Sequence, residues 1–587
     1  MRAARFDDLR TPGARGFDLA GLREVVTAER PAEVRGALAA VEAAVARGAW
    51  AAGFLAYGAA PGLDPLLRVR EGSPGDGTAC PPLVCFGLFD RRRPAPPLPA
   101  GRWRLHGWRP SVERDAYHAA VERIRRHIAA GDTYQVNHTF RLRGTFEGDP
   151  GGLYADLARS QGAELCAWLD LGRLQVLCAS PELFFRLDGE RLTTRPMKGT
   201  APRGRWAAED LAAAAALAAS PKERAENLMI VDLLRNDLGR VATPGSVAVE
   251  RLFEVERYET VWQLTSTVSS RLVPATPLPE LMAALFPCGS VTGAPKVRTM
   301  EIIAGLEDSP RGLYTGAVGY LAPPGAPGPA ARFAVAIRTL VLDLEAGTAE
   351  YGVGGGITWD SDPAREYEEA LLKARVLEPR PALALVETLR WEPGRGFPLL
   401  AGHAERLAAS AAWFGFPFDR RRWEEALAAA VAGGAPLRVR ATLDRAGEVA
   451  VTTSPLPAPP DAPLRLAVDP EPVDPRNPLL FHKTTHRAPY DERRERWPEA
   501  DDVLLVNDRG EVTESTIANV AARLDGRWWT PPVESGCLPG VYRAALLAEG
   551  RLAERPLALA DLRRAEELAL VSAVRGWRPA TLGRGPS

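Results

Sequence analysis

The stretch Ala179-Ser180-Pro181-Glu182-Leu183-Phe184-Phe185-Arg186-Leu187-Asp188-Gly189-Glu190-Arg191-Leu192-Thr193-Thr194-Arg195-Pro196-Met197-Lys198-Gly199-Thr200 sets a carboxylate, Glu182, and an amine, Lys198, sixteen positions apart. Apolar and polar residues mix on both sides of Asp188-Gly189, which predicts strand, tight turn and strand. A hairpin folds back on itself, so Glu182 and Lys198 can end as neighbours. Lys198 stands between Pro196 and Gly199, which suits irregular backbone at a strand end. A Lys beside a Gly is usually a solvated loop residue. An acid and an amine held together can instead act as general acid and nucleophile.

The chain around this stretch has 587 residues, enough for two to four domains. Its 25% charged and 46% hydrophobic residues and formal net charge of −1 exclude a basic nucleic-acid or membrane-surface binder. No apolar run reaches membrane-spanning length, and the N-terminus lacks the apolar core of a signal peptide. The six cysteines (80, 85, 166, 178, 288 and 537) form no Cys-x-x-Cys pair, which fits reduced thiols in a cytoplasmic protein.

Before the hairpin, Pro31 to Gly48 and Ser111 to Ala130 have helical spacing, and Gly53 to Tyr57 reads as a strand. Glu71 to Pro82 and Arg93 to Gly101 are expected to be exposed loops. After it, Trp206 to Ala219 is an alanine-rich helix. Ser220-Pro221-Lys222-Glu223 opens another, with Ser220 as cap and Glu223 completing a capping box. The apolar run Leu228 to Leu234 predicts that this helix is buried. Asp362-Pro363 starts a further helix with Glu366, Glu369 and Lys373 on one face. If the two helices face each other, Glu223, Glu226, Glu366 and Glu369 would make a hard-cation site suited to Mg²⁺. Alternatively, Glu223 only caps its helix and Glu369 only pairs with Lys373. Gly352-Val353-Gly354-Gly355-Gly356-Ile357 superficially matches a dinucleotide fingerprint, but Asp360-Ser361-Asp362-Pro363 intervenes before the helix, and it is read as a backbone nest for a carboxylate. Arg338 could clamp another carboxylate. The run Phe286 to Lys296, with Ser290 and Thr292, leads glycines and hydroxyls into a helix N-terminus, which suits an anion. Two prolines in Glu378-Pro379-Arg380-Pro381 end the preceding helix. The expected domains are therefore residues 1–378, a linker at 379–382, and 383–587, with the Pro-rich Pro455 to Pro463 joining two lobes of the second.

Several of these segments, in order over roughly residues 110 to 378, resemble the chorismate-utilising enzymes. They include Tyr134-Gln135-Val136-Asn137, Ser180-Pro181-Glu182, Pro196-Met197-Lys198-Gly199-Thr200, Ala225-Glu226-Asn227 through Arg235-Asn236-Asp237, Thr292-Gly293-Ala294-Pro295-Lys296, Ala336-Ile337-Arg338-Thr339 and Glu366-Tyr367-Glu368-Glu369. The resemblance implies an α+β fold, two packed antiparallel sheets flanked by helices, binding Mg²⁺ and chorismate. Lys198, where anthranilate synthases usually have Ala, and Phe286-Pro287, where they have His-Pro, point to the aminodeoxychorismate branch. Gln135, where isochorismate-type enzymes have a Lys base, argues against water as nucleophile. The implied roles are Lys198 as nucleophile, Glu182 as acid, and the four glutamates as metal ligands. Substrate contacts would come from Ser290, Thr292, Tyr320, Arg338, Gly354, Gly355, Gly356 and Lys373. No cysteine sits in a glutaminase-like Gly-x-Cys-x-Gly turn, which implies a separate glutamine amidotransferase subunit as the ammonia source.

From about residue 383 a second set follows: Glu387-Thr388, His403-Ala404-Glu405-Arg406, Phe481-His482-Lys483-Thr484-Thr485-His486, Val512-Thr513-Glu514-Ser515, Gly540-Val541-Tyr542-Arg543 and Val571-Ser572. It resembles the two-lobed, fold type IV pyridoxal-phosphate enzymes, specifically the aminodeoxychorismate lyases. Lys483 then matches the cofactor-bearing lysine and Glu514 the partner of the pyridine nitrogen. Arg406, Val541, Tyr542 and Ser572 would hold the phosphate. The resemblance also allows a dimeric C-terminal domain. Together the two sets imply 4-aminobenzoate synthesis for folate. The alternatives are an anthranilate synthase component fused to an aminotransferase-like domain, and a catalytically silent C-terminal scaffold.

Overall fold

A computed structural model of the chain describes residues 1–11, 13–71, 81–378, 383–458 and 461–583. The expected linker 379–382, Cys80, most of the loop from Glu71 and part of the Pro455 to Pro463 stretch lie outside the described residues. The chain forms two compact units. The first comprises Met1–Pro202 with Ala214–Arg380, the second Arg203–Ala213 with Pro381–Ser587.

Eighteen strands of the first unit join into one hydrogen-bonded network. Their side chains alternate between two kinds of core. In the strand Trp50–Leu55, Ala51 and Leu55 pack with the helices Val34–Ala46 and Leu278–Leu285, whereas Trp50, Ala52 and Phe54 point the other way. In Leu174–Ser180, Leu177 and Ala179 meet the helix Pro150–Gln161, while Val176 and Cys178 join the same core as Ala52 and Phe54. That shared core is built almost wholly from strands, so the network folds over as two packed sheets with helices outside.

The hairpin forms as the sequence predicts. Leu183–Asp188 and Arg191–Arg195 pair antiparallel around Gly189, and Arg195 lies opposite Leu183. Pro196 breaks the second strand, and Met197–Pro202 continues it against Val261–Arg271. The helix Pro221–Gly239 starts at Ser220, whose Oγ accepts from the Glu223 N–H. The reciprocal half of the expected capping box is absent, because the Glu223 carboxylate takes the Thr200 backbone N–H instead. This helix is also not buried throughout: Ile230, Val231 and Leu234 are buried, but Leu228 is 44% exposed. Asp362 caps the helix Pro363–Leu372 as expected.

The second unit has two lobes. Leu385–Trp391, Leu437–Leu443 and Val449–Pro455 form a three-stranded antiparallel sheet. Its apolar face, with Leu385, Leu389, Val439 and Ala441, packs on the helices Leu400–Phe414 and Arg420–Ala430. After the Pro-rich stretch comes an eight-stranded mixed sheet, in which Leu464–Val468 pairs parallel to both Asp502–Val506 and Gly576–Leu582.

Candidate active sites

Each unit contains one cavity that gathers its candidate residues. In the first, a cavity of about 180 Å³ is lined by Glu182, Lys198, Glu223, Glu226, Ser290, Arg338, Gly354, Gly355, Gly356, Glu366, Glu369 and Lys373. Lys198 reaches it because Gly199 takes φ +97°, a conformation that favours glycine, and turns the strand after Pro196. Glu182 is only 2% exposed. Burial pushes its carboxyl up to about 7, against hydrogen bonds from Ser290 and the Met197 backbone and the charge of Lys198. Burial also drives Lys198 below the ordinary lysine range, opposed by Glu182 and Glu226. A buried acid raised to about 7 thus shares the cavity with a half-buried amine shifted toward its neutral form, the pairing that acid-assisted nucleophilic attack needs.

The glycines of Gly352–Ile357 do not form a nest. They lie in the extended strand Thr348–Ile357, paired with Gln135–Gly148, Gly354 opposite Thr139 and Gly356 opposite Asn137. Their use is spatial. A Cβ on Gly356 would come 3.0 Å from Lys198 Nζ, and one on Gly355 3.3 Å from Glu366 Oε2. Lys373 Nζ donates to Gly354 O at 2.8 Å and pairs with Glu369 at 3.0 Å. Arg338 donates to the Lys373 carbonyl.

Two expected contacts fall elsewhere. Thr292 does not line the cavity; its hydroxyl is bonded to the carbonyls of Cys288 and Gly289. Tyr320 points into the strand-built core, 5.1 Å from the Phe6 ring and 5.3 Å from Phe17. Tyr314 lines the cavity instead, along with Asn137 and Gln263. Tyr314 arrives from a loop without periodicity, so nothing local in the sequence marks it.

The four glutamates feel one another across the two helices. Burial raises Glu223, Glu226 and Glu366, and in each case another of the four adds to the rise. Glu369 is lowered by Lys373. Among the described residues no three acid, His or Cys groups are gathered closely enough to hold a metal ion. Ser361 Oγ donates to Glu366 at 2.7 Å, and Lys373 occupies Glu369.

In the second unit a cavity of about 200 Å³ is lined by all six expected residues, Arg406, Lys483, Glu514, Val541, Tyr542 and Ser572. Burial, helped by Arg406, lowers Lys483 to about 8. Burial raises Glu514 to about 7, while Tyr490 Oη and the Leu538 N–H, each at 3.2 Å, hold its two oxygens. The helix Val541–Ala548 begins at Gly540 with no side-chain cap, so its first N–H groups are free for an anion. A Cβ at Gly540 would overlap Asn519 Oδ1. Arg406 is fixed by Glu387, at 2.9 and 2.7 Å, and Glu387 also takes His403 Nδ1 at 2.6 Å. Burial would raise Glu387, but Arg406 and His403 bring it down to about 2. Sequence reasoning missed Glu387 and Tyr490 as supports, because their partners are distant in the chain.

These two sites define a chain that joins a chorismate-type cavity to a pyridoxal-phosphate-type cavity. Residues 32–379 match the profile of the chorismate binding enzymes, and the chain belongs to that family. Residues 384–582 match the amino-transferase class IV profile. Over 287 residues, 49% of this chain, it is 45% identical to an aminodeoxychorismate synthase of Streptomyces griseus. Over 297 residues it is 42% identical to anthranilate synthase component 1 of Streptomyces coelicolor. The chain spans 38% of the length of the former and 57% of the latter. The crystal structure of anthranilate synthase component I from Streptococcus pneumoniae TIGR4 covers 63% of this chain, and 93% of its own, with a TM-score of 0.52 and 26% identity.

Proposed function

We propose that the first unit converts chorismate and ammonia to 4-amino-4-deoxychorismate, and that the second removes pyruvate from that product to leave 4-aminobenzoate. The observation that carries the reading is Lys198, a half-buried amine shifted toward its neutral form in one cavity with a carboxyl raised to about 7. Lys198 attacks C2 of the chorismate ring, and Glu182 protonates the departing C4 hydroxyl, which leaves as water. Ammonia then bonds to C4 and Lys198 is expelled from C2. Ser290 holds the Glu182 carboxyl, and Arg338 and Lys373 supply positive charge for the substrate carboxylates. The donor chemistry of Glu223, Glu226, Glu366 and Glu369 suits Mg²⁺, which would neutralise four mutually repelling carboxylates and bind a substrate carboxylate. Two of them would exchange their present partners, Ser361 and Lys373, for the ion.

In the second unit the half-buried amine, the acid and the uncapped helix N-terminus fit pyridoxal phosphate. Lys483 would carry it, Glu514 would face its ring nitrogen, and Arg406, Val541 and Tyr542 would hold its phosphate. When bound, the cofactor supplies an electron sink for carbanionic charge. Lys483 moves the proton at C4, Tyr490 steadies Glu514, and Glu387 keeps Arg406 in place. The 45% identity to an aminodeoxychorismate synthase and the class IV profile support the two halves. The reading places the chain in the cytoplasm with a glutamine amidotransferase partner as ammonia source. The test supplies purified protein with chorismate, ammonium, Mg²⁺ and pyridoxal phosphate. Wild type should yield 4-aminobenzoate, Lys198→Ala almost none, and Lys483→Ala should accumulate aminodeoxychorismate. Formation of 2-aminobenzoate would overturn the reading.

A further inference from the structure

The strand Leu437–Leu443 buries Val439, Ala441 and Leu443 in the core of its lobe. Alternation therefore sends Arg438 and Arg440 to the opposite face of the sheet. There Arg440 stands opposite Thr388, and both arginines line the cavity of Lys483. Of the other arginines on this lining, three have fixed side-chain partners, and Arg575 sits on the turn after Glu567–Ser572, its backbone N–H donating to Ser572 Oγ at 3.3 Å. Arg406 is locked to Glu387, Arg543 donates to Pro531 O at 2.6 Å, and Arg487 donates to Thr516 O at 2.7 Å. Among the described residues the guanidinium groups of Arg438 and Arg440 have no hydrogen bond or ion pair. Glu514, held by Tyr490 and Leu538, is the one carboxylate among the described lining residues. Arg440 is accordingly lowered by burial and then by the like charges of Arg438 and Arg487.

Half-buried guanidinium groups placed side by side without an acid repel one another, and an anion between them removes that cost. The phosphate cradle is already furnished by Arg406 and the helix N-terminus at Val541, so these two arginines answer a different anion. Their planar forks suit carboxylate oxygens.

We propose that Arg438 and Arg440 form the substrate-carboxylate site of the second unit, and that this site selects a primary amine carrying two carboxylates remote from its amino group. The assignment rests on the lyase reading above for the identity of the amine, but the anion site itself does not. Arg440, opposite Thr388, bonds one carboxylate, and Arg438 attracts the second. A monocarboxylic amine leaves one guanidinium unpaired and is discriminated against.

The test uses the full chain loaded with pyridoxal phosphate, with the cofactor's visible absorbance band as reporter. Isophthalate, an unreactive ring dicarboxylate, is titrated against benzoate. Wild type should bind isophthalate at least tenfold more tightly than benzoate. Arg438→Gln/Arg440→Gln should lose that preference while keeping cofactor affinity and the pH midpoint of the band. Arg440→Lys should keep part of the preference, since charge remains without the fork. In turnover with aminodeoxychorismate the double variant should raise KM at least tenfold with little change in kcat. If wild type shows no preference, or the double variant retains it, the proposal is overturned. If wild type discriminates but releases no pyruvate from aminodeoxychorismate, the lyase reading fails and the dicarboxylate site stands.

Discussion

Replacing Gly356 by alanine tests whether the glycine strand is there for the space it leaves. Its backbone is extended, so alanine imposes no strain of its own. The added methyl would sit 3.0 Å from Lys198 Nζ and well inside contact with Gln135 Nε2. Restoring ordinary separations of about 3.5 Å moves the amine by about 0.5 Å and the amide by about 1.3 Å. Gln135 is fully buried and its side-chain amide has no partner to guide it to a new place. Overpacking of this kind costs about 1–3 kcal/mol of stability. A nucleophile misplaced by about 1 Å loses on the order of 100-fold in rate, so a shift of about half that costs on the order of tenfold, about 1.4 kcal/mol in barrier. The assay follows chorismate consumption with ammonium and Mg²⁺ at saturating substrate, alongside thermal unfolding. Gly36→Ala, at an exposed helix position with nothing within 4 Å of the new Cβ, should leave the rate unchanged and serves as control. A Gly356→Ala enzyme within twofold of wild type would refute the claim that Lys198 works in the space beside this strand.

Glu182 acts in its protonated form, so chorismate turnover should fall as pH rises through about 7, and Glu182→Gln should be slow at every pH with that limb abolished; the pH profile of kcat/KM checks both. Lys483 must be neutral to take up an aldehyde, so association of pyridoxal phosphate, followed by absorbance, should quicken as pH rises through about 8 and then level off. Glu387 is held near 2 in the fold and would sit near 4.3 when unfolded. Its lowered folded value contributes roughly 3 kcal/mol that is present above the unfolded pKa and lost as pH falls through 4 toward 2. Glu387→Gln should therefore unfold more easily at pH 7, by denaturant titration, and bind pyridoxal phosphate more weakly because Arg406 loses its anchor; equal midpoints at pH 7 would refute the anchoring role.

Features set by neighbours in sequence were legible. The Glu182–Lys198 hairpin follows from Asp188-Gly189 and Pro196, the helix starts from Ser220 and Asp362, and the Glu369–Lys373 pair from spacing. Features set by packing were not. An apolar run from Leu228 to Leu234 predicts full burial, yet a helix against one sheet leaves its other side in water, and Leu228 is there. Glycines at 352 to 356 suggest a turn or nest, but glycine also permits close approach within a regular strand, and only the facing Lys198 and Gln135 decide between the two. The resemblance implies a substrate contact at Tyr320, whereas the parity of its strand sends it to the core with Phe6 and Phe17. The run from Trp206 to Ala219 reads as an alanine-rich helix for packing alone, yet Arg203–Ala213 belongs to the second unit, where Trp206 lies against Phe481 and the Arg205 carbonyl accepts from His482 Nε2. Those partners stand more than 200 residues away, so no window of sequence could expose them.

The two amines share one device on unrelated folds, and the difference between them is instructive. Each is half-buried on a cavity wall, each is pushed toward neutrality by desolvation, and each shares its cavity with a carboxyl raised to about 7. What surrounds them differs. Lys198 feels three carboxylates, Glu182, Glu226 and Glu369, against one cation, Lys373, whereas on Lys483 the cations Arg406 and Arg487 act against Glu387 and Glu514. The carboxylates pull Lys198 back toward its charged form against burial, whereas the arginines add to the push of burial that brings Lys483 to about 8. The second arrangement suits a lysine that must be neutral to take up an aldehyde. Moving one charge should move the behaviour: Glu226→Gln would free the Lys198 amine at lower pH, and Arg487→Gln would hold the proton on Lys483 to higher pH.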